Sequence, residues 1–228
     1  MAKLYYIEID GLVYLIREQG RLRFPQELGS LNFQVEPLHR MVIRGQEVWF
    51  SKPKLDFYPQ DQPGWFHKDE IPLLDEADPI VRKAINHSLP RVVAEGVIIE
   101  DEKILLVRAK RGYLKEQWNL PGGFVGYGES PEEAVRREVE EEIGARCATG
   151  RLLGVESFLG ENSYSHWLMF FYEMRLLEQV EEFHPAADEI AEVRWFPLRE
   201  AVELIGSPVM RKKIRELWSS SLARDQDK

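Results

Sequence analysis

Residues Gly123–Ala145 read GFVGYGESPEEAVRREVEEEIGA. A glycine-rich loop runs straight into a segment carrying Glu138, Glu140, Glu141 and Glu142. Its periodicity predicts a helix over 131–143. At about 100° per residue, Val135, Val139 and Ile143 recur at i, i+4 and i+8 and form a core-facing stripe. Glu138, Glu141 and Glu142 fall in one arc beside that stripe. Glu132 lies in the first turn, while Glu133 and Glu140 lie on the far side, toward solvent. Like charges at such spacings cost a helix roughly 0.2–0.5 kcal/mol per pair, and the C-terminal end of a helix disfavours negative charge. Several local rules are broken together, a mark of functional sites. A hard divalent cation relieves the repulsion, and Mg²⁺ takes oxygen ligands while sharing itself with waters and substrate phosphates.

A solvated acidic face is the other reading of an isolated EVEEE run. The surroundings favour the metal: Glu129 stands just before Ser130-Pro131, Arg136 and Arg137 precede the carboxylates, and glycines precede the helix. The order is Gly123, five residues, Glu129, seven residues, Arg137-Glu138-Val139, one residue, Glu141-Glu142, one residue, Gly144-Ala145. It resembles the Nudix box, G-x5-E-x7-R-E-U-x-E-E-x-G-U with U apolar, at every fixed position. The flanking strands, the upstream WNLPGG and the run EVRWF at 192–196 are also similar to that family, so the resemblance extends over about 89–218 and leaves 1–88 unexplained.

The resemblance implies a Nudix α/β/α sandwich with a mixed sheet. It also implies Mg²⁺-dependent hydrolysis, with Mn²⁺ as the substitute ion, of the diphosphate bridge in a nucleoside diphosphate linked to another group. ADP-ribose stands first, because GGFVGYGE and LLGVES resemble the boxes of ADP-ribose-type pyrophosphatases; a nucleotide sugar comes next. Hydrolysis of aberrant nucleoside triphosphates stays open, as does a nucleotide-sensing module without turnover. By carry-over, Glu138, Glu141, Glu142 and the Gly123 carbonyl hold metal, and Glu141 or Glu142 also orients or deprotonates water. Arg137 orients the glutamates, and Glu129 ligates metal or braces the loop. Gly122 and Gly123 permit close backbone approach to metal and phosphates. The general base lies in the box or in LEQVEEFHPAADE at 177–189. There Glu181, Glu182, Asp188 and Glu189 are candidates, against the plainer reading of a solvated acidic loop. The chemistry asks mainly for positioning and neutralisation, because the bridge is anionic and repels a nucleophile.

The basic cluster Arg108, Lys110, Arg111 and Lys115 either grips an anionic substrate or ends a strand in solvent. Arg108, Arg111 and Gly122 are the candidate substrate-binding residues. Trp118 reads as a packing residue, and Phe158, Tyr164 and His166 border a pocket or pack in the core.

The remaining sequence sets bounds. A chain of 228 residues with 44% hydrophobic and 30% charged residues can bury a core and stay soluble. A net charge of −9 argues against sequence-independent nucleic-acid binding. Cys147 is the only cysteine, which excludes an internal disulfide and a multi-cysteine zinc site. The acidic residues of MAKLYYIEIDG do not read as an export signal, and no apolar run reaches membrane-spanning length, so a cytoplasmic protein without a membrane partner is expected.

Residues 4–17 read as two strands around an Asp10-Gly11 turn, followed by strands near 32–35 and 40–50, the latter turning at Arg44-Gly45. The expected division is a small β-rich N-terminal domain with linker over 1–76, a connecting helix over 77–88 with Asp78 as N-cap, a Nudix domain over 89–218 and a frayed polar tail over 219–228. Pro53–Pro72 reads as loop. In the Nudix domain, strands are expected on both sides of a turn at 100–103 and at 151–158, 166–177 and 191–196, with helices at 198–204 and 208–217. The partner expected is a small-molecule nucleotide substrate; the β-rich domain either pairs with a second copy of the chain as a homodimer, supplies part of the substrate pocket or binds a separate partner.

Overall fold

A computed structural model describes residues 3–111, 114–159, 166–185 and 187–226. Tyr164 lies outside the described residues. The chain forms two compact units, dividing between Leu89 and Pro90.

The N-terminal unit contains β1 (Lys3–Ile9), β2 (Leu12–Tyr14), β3 (Ile16–Glu18), β4 (Arg21–Arg23), β5 (Gln34–Ile43), β6 (Gln46–Lys54), β7 (Trp65–His67) and the helix α1 (Pro79–Ser88). Its main sheet has the order β5-β6-β1-β2-β7, and β3 pairs with β4 alone. β1 and β6 run parallel, while the hairpin turns at Asp10-Gly11 and Arg44-Gly45 fall where the sequence places them. The segment read as loop departs from expectation. Pro53 sits within β6, and β7 pairs with β2. The apolar Trp65 drives that pairing, since it packs against Ile7 and Leu12. Asp78 caps α1 by accepting from the Ile80 amide at 3.0 Å. Val81, Ala84 and Ile85 of α1 share a core with Leu4, Tyr6, Phe24 and Val48.

The second unit carries β8 (Arg91–Glu100), β9 (Lys103–Ala109), β10 (Trp118–Asn119), β11 (Gly122–Phe124), α2 (Pro131–Ile143), β12 (Cys147–Leu159), β13 (His166–Leu176), β14 (Ile190–Pro197), α3 (Leu198–Leu204) and α4 (Pro208–Gln226). The sheet order is β10-β9-β8-β13-β12, with β11 added to β8 and β14 to β9. Only the β8–β13 pair is parallel, so the sheet is mixed. β8 and β9 pair only near their turn, at Ile99–Ile104 and Glu100–Lys103. Beyond it they part, and β11 takes the edge of β8. Alternation along β8 and β9 serves both faces. Ala94, Ile98, Leu105 and Val107 pack on Ala134, Val135, Val139 and Ile143 of α2. Val93, Val97, Ile104 and Leu106 pack on Ala201, Val202, Met210 and Ile214 of α3 and α4. The result is the α/β/α sandwich expected from the sequence, beside a β-rich N-terminal unit.

Two boundaries move. β12 begins at Cys147 rather than 151, and α4 continues to Gln226 through the stretch read as a frayed tail. No proline or glycine interrupts 209–226, so nothing local stops the helix. Among the described residues, no helix is long and apolar enough to cross a membrane.

The ends of α2 are fixed by its sequence. Ser130 accepts from the Glu133 amide at 3.2 Å, and the Glu133 carboxylate accepts from the Ser130 amide at 2.9 Å, a capping box. Glu133 therefore locks the first turn rather than simply facing solvent. At the other end Gly144 adopts φ 68°, and a Cβ there would lie 2.0 Å from the His184 carbonyl oxygen. Gly144→Ala is expected to cost at least about 1–2 kcal/mol from the left-handed backbone alone. That lowers Tm by roughly 2–8 °C in a chain of this size. Thermal unfolding followed by circular dichroism checks it, and an unchanged Tm would contradict this close approach.

Candidate active site

α2 and β11 bring the box together. The Glu138 carboxylate lies over Gly123: a Cβ on that glycine would sit 2.5 Å from the carboxylate carbon and 2.6 and 2.8 Å from its oxygens. Glu142 Oε2 accepts from the Gly122 amide at 2.9 Å. Two carboxylates of one helix thus converge on one dipeptide, and the glycines leave room for them.

Arg137 ties helix to loop. Its Nε and Nη2 donate to the two oxygens of Glu129 at 2.8 and 2.9 Å, a bidentate pair. Nη1 donates to Glu138 at 2.8 Å and Nη2 to the Phe124 carbonyl at 3.2 Å. The contact from Nη1 to Glu141 is longer, at 3.5 Å. Glu129 also accepts from the Gly126 amide at 2.8 Å, so it braces the loop, the second of the two roles left open for it. The Arg137 fork and this amide hold the Glu129 carboxyl down to about 2. Glu129 and Glu138 in turn raise the Arg137 guanidinium above its ordinary value. The Glu141 side chain is 59% exposed, the freest of the box carboxylates that Arg137 touches. Beside it an open depression of about 920 Å³ has Tyr127, Glu129, Arg136, Arg137, Glu140 and Glu141 among its lining residues.

Glu142 behaves differently. Burial pushes its carboxyl up to about 8, with Glu138 and Glu141 adding to the rise and the Gly122 amide opposing it. Glu140 is structural rather than a solvated bystander, since it accepts from the Cys147 amide at 2.9 Å and pins the start of β12. The Cys147 thiol is itself buried and pushed up to about 12, first by burial and then by Glu140.

Sequence reasoning missed Glu95. It sits in the middle of β8, opposite Gly122 on β11 and Phe171 on β13, and is only 4% exposed. Its Oε2 has no hydrogen-bond partner and would lie 2.8 Å from a Cβ on Gly122. Burial, then Glu142 and Glu138, push its carboxyl well above the usual range. The one local signal was an acid set in the apolar run VVAEGVII.

The basic cluster is engaged with acids. Arg108 pairs with Glu192 at 3.1 Å and Glu116 at 3.3 Å, and lies over the Trp118 ring. Arg111 pairs with Glu189 and, at 4.0 Å, with Asp188, while Lys110 donates to the Ala187 carbonyl. These contacts wire the end of β9 to the segment before β14, and they occupy Asp188 and Glu189 as well. Lys115, Glu181 and Glu182 are exposed. Trp118 packs edge-on against Phe196, as expected of a packing residue. His166 Nε2 shares a 2.8 Å hydrogen bond with Ser157. Phe158 and Trp167 stack with centroids 6.4 Å apart, and Phe124, next to Gly123 in sequence and 55% exposed, meets Trp167 at 5.8 Å.

The donor set suits a divalent cation. Oxygens from Glu138 and Glu142 approach the same glycine pair, Glu141 stands open to solvent, and the unpartnered Glu95 oxygen lies behind Gly122. Among the described residues no three acidic, histidine or cysteine side chains close into a cage. An open arc is what Mg²⁺ uses when it keeps waters and shares substrate oxygens.

Comparison with known proteins identifies the family. Residues 90–217 match the family model described as NUDIX domain. The chain belongs to the Nudix family. Its Nudix domain is 36% identical over 115 residues to an ADP-ribose pyrophosphatase of Methanocaldococcus jannaschii, a match covering 50% of this chain and 66% of that protein. It is 30% identical over 140 residues to the NAD-capped RNA hydrolase NudC of Pseudomonas aeruginosa, covering 60% of this chain and 47% of the relative. The chain thus spans less than two thirds of either relative. A solved Nudix hydrolase from Nitrosomonas europaea shares the fold, with a TM-score of 0.51 at 25% identity, covering 58% of this chain and 90% of that one.

Proposed function

We propose that the Nudix domain hydrolyses the diphosphate bridge of a nucleoside diphosphate linked to a second group, with ADP-ribose as the leading substrate. The observation that carries this reading is the convergence of Glu138 and Glu142 on Gly122–Gly123, with Glu141 open beside them and Arg137 holding the loop. Water attacks one phosphorus, the bond from that phosphorus to the bridging oxygen breaks, and a nucleoside monophosphate leaves with a phosphorylated partner. Glu138, Glu141, Glu142 and the Gly123 carbonyl would hold Mg²⁺, or Mn²⁺ in its place. When bound, the cation neutralises the bridge and lowers the pKa of the attacking water. Glu141 is the exposed carboxylate best placed to receive the water proton, and Arg137 keeps Glu138 and the loop in register. The exposed Phe124 ring, next to Gly123 in sequence and backed by Trp167, offers an aromatic contact for a nucleobase. ADP-ribose leads because the relative from Methanocaldococcus jannaschii carries that activity in its name.

The same reading places the protein in the cytoplasm and pairs two copies through the N-terminal unit. There β5 is an edge strand that exposes Leu38 and Val42.

The test is a substrate panel with Mg²⁺: ADP-ribose, NADH, nucleotide sugars, dinucleoside polyphosphates and oxidised nucleoside triphosphates, with products separated by chromatography. AMP and ribose phosphate are expected from ADP-ribose, with activity lost in excess chelator and restored by Mg²⁺. Full activity in chelator would remove the metal from the reading. Nucleotide binding without any turnover would replace hydrolysis by sensing.

A further inference from the structure

We propose that Glu95 is an additional carboxylate of the divalent-cation centre, reaching Gly122–Gly123 from within the sheet while Glu138 and Glu142 reach it from α2. The inference rests on the metal reading above and adds a residue outside the box.

Three contacts define the arrangement. A Cβ on Gly122 would meet the Ala94 carbonyl oxygen at 2.3 Å and the Glu95 Cα and Oε2 at 2.8 Å each, so the β8 backbone and the Glu95 carboxylate together close the space beside that glycine. The Gly122 amide faces Glu142, and the Gly123 Cα faces the Glu138 carboxylate. Three acids therefore bracket one dipeptide, and an oxygen of the innermost has no hydrogen-bond partner.

That placement makes no sense as packing. β8 is lined by Val93, Ala94, Val97 and Ile98, all buried and apolar. An acid among them with an unpartnered oxygen is a burden on folding that an amide or an apolar side chain would lift. The cations nearby are committed elsewhere. Arg137 is taken by Glu129, Glu138 and the Phe124 carbonyl. On the other helical layer, Lys213 pairs with Glu156 at 2.8 Å and Glu216 at 3.3 Å. The charges that act on Glu95 are the two further carboxylates Glu138 and Glu142, which add to the burden. A small divalent cation beside Gly122–Gly123, with waters completing its shell, is the ligand whose charge answers the acids around that dipeptide.

The experiment measures Mn²⁺ binding to the full chain without substrate, by electron paramagnetic resonance of the free ion and by calorimetry. Glu95→Gln keeps the shape and removes the charge. It is expected to bind Mn²⁺ about 10–100-fold more weakly, with an unchanged near-ultraviolet circular dichroism spectrum and a Tm no lower than that of the unaltered protein. Glu173→Gln, at an exposed position of β13, is expected to bind Mn²⁺ as the unaltered protein does. A folded Glu95→Gln protein with undiminished Mn²⁺ affinity overturns the proposal and leaves Glu95 as a buried packing acid. If that variant does not fold, Glu95→Asp takes its place: the carboxylate is withdrawn by one methylene, affinity is expected to fall, and undiminished affinity again overturns the proposal. An unaltered protein that takes up no Mn²⁺ overturns the metal reading itself, and this inference with it.

Discussion

Glu141→Gln is expected to lower kcat by about 10²–10⁴-fold, the range that loss of a positioned proton acceptor produces, with little change in fold. The two parts of this expectation come from different features. The side chain is 59% exposed and its only ion pair among the described residues, to Arg137, is long at 3.5 Å, so the folded state loses little when its charge is removed. A substitution of this kind at the surface usually shifts stability by no more than about 0.5 kcal/mol. Function has more to lose, because Glu141, 59% exposed, is open to water at the depression that it lines together with Glu129 and Glu140, and among the described residues neither of its carboxylate oxygens is tied to a backbone amide as theirs are. Glu140→Gln makes the comparison sharp. Glu140 lies one residue away but uses its oxygen to accept from the Cys147 amide, and Gln can still accept there. Its turnover is expected to match the unaltered protein. Steady-state kinetics on the active substrate, with Tm measured in parallel, decide the matter. Full activity in Glu141→Gln would assign proton transfer elsewhere, with Glu142 next in line.

That contrast between neighbours shows where a sequence stops being informative. The faces of α2 follow from spacing alone, since a 3.6-residue period sets Val135, Val139 and Ile143 on the core and Glu138 and Glu142 beside it. The use each remaining side chain finds does not. Glu133 closes a capping box and Glu140 pins β12, although both were read as facing solvent. The first of these was legible in principle, because Ser130 and Glu133 stand three apart at a helix entry. The second depends on where the chain returns after Gly144. Glu95 depends on more still, the register that sets β11 against β8 and brings Gly122 opposite it. Glu192, which pairs with Arg108 beside the nearby Glu116, and Glu189, which pairs with Arg111, lie more than seventy residues downstream and are met only through the β9–β14 pairing. Arg108 and Arg111 looked like a grip for phosphate when only their own neighbourhood was visible. Their carboxylate partners show that the same charges also fasten the segment before β14. α4 fails in the opposite direction: its polar C-terminal residues lack a core-facing pattern, yet they contain no residue that ends a helix.

Arg137→Ala is expected to reduce kcat by about 10²-fold or more, although Arg137 supplies neither the nucleophile nor a metal ligand. Displacement of a catalytic array by roughly an ångström is enough for a loss of this size, and Arg137 is what sets the array. It joins Glu129 and the Phe124 carbonyl on the loop to Glu138 and Glu141 on the helix. Removing it takes from Glu138 and Glu141 the guanidinium that both contact, so the like-charge strain that the helix carries is less offset. It also releases Glu129, whose remaining contact with the Gly126 amide cannot tie the loop to α2. Arg137→Lys separates these two effects. The ammonium restores a positive charge but cannot reproduce the planar fork on Glu129 while also reaching Glu138. It is therefore expected to recover part of the Mn²⁺ affinity and little of the turnover. Hydrogen exchange across 124–130 supplies the structural readout, with faster exchange expected in both variants. Arg151→Lys, at the exposed pair with Glu173, is expected to change none of these quantities. Were Arg137→Lys to turn over substrate at the full rate, charge alone would suffice, and the bidentate contact with Glu129 would have no part in positioning the site.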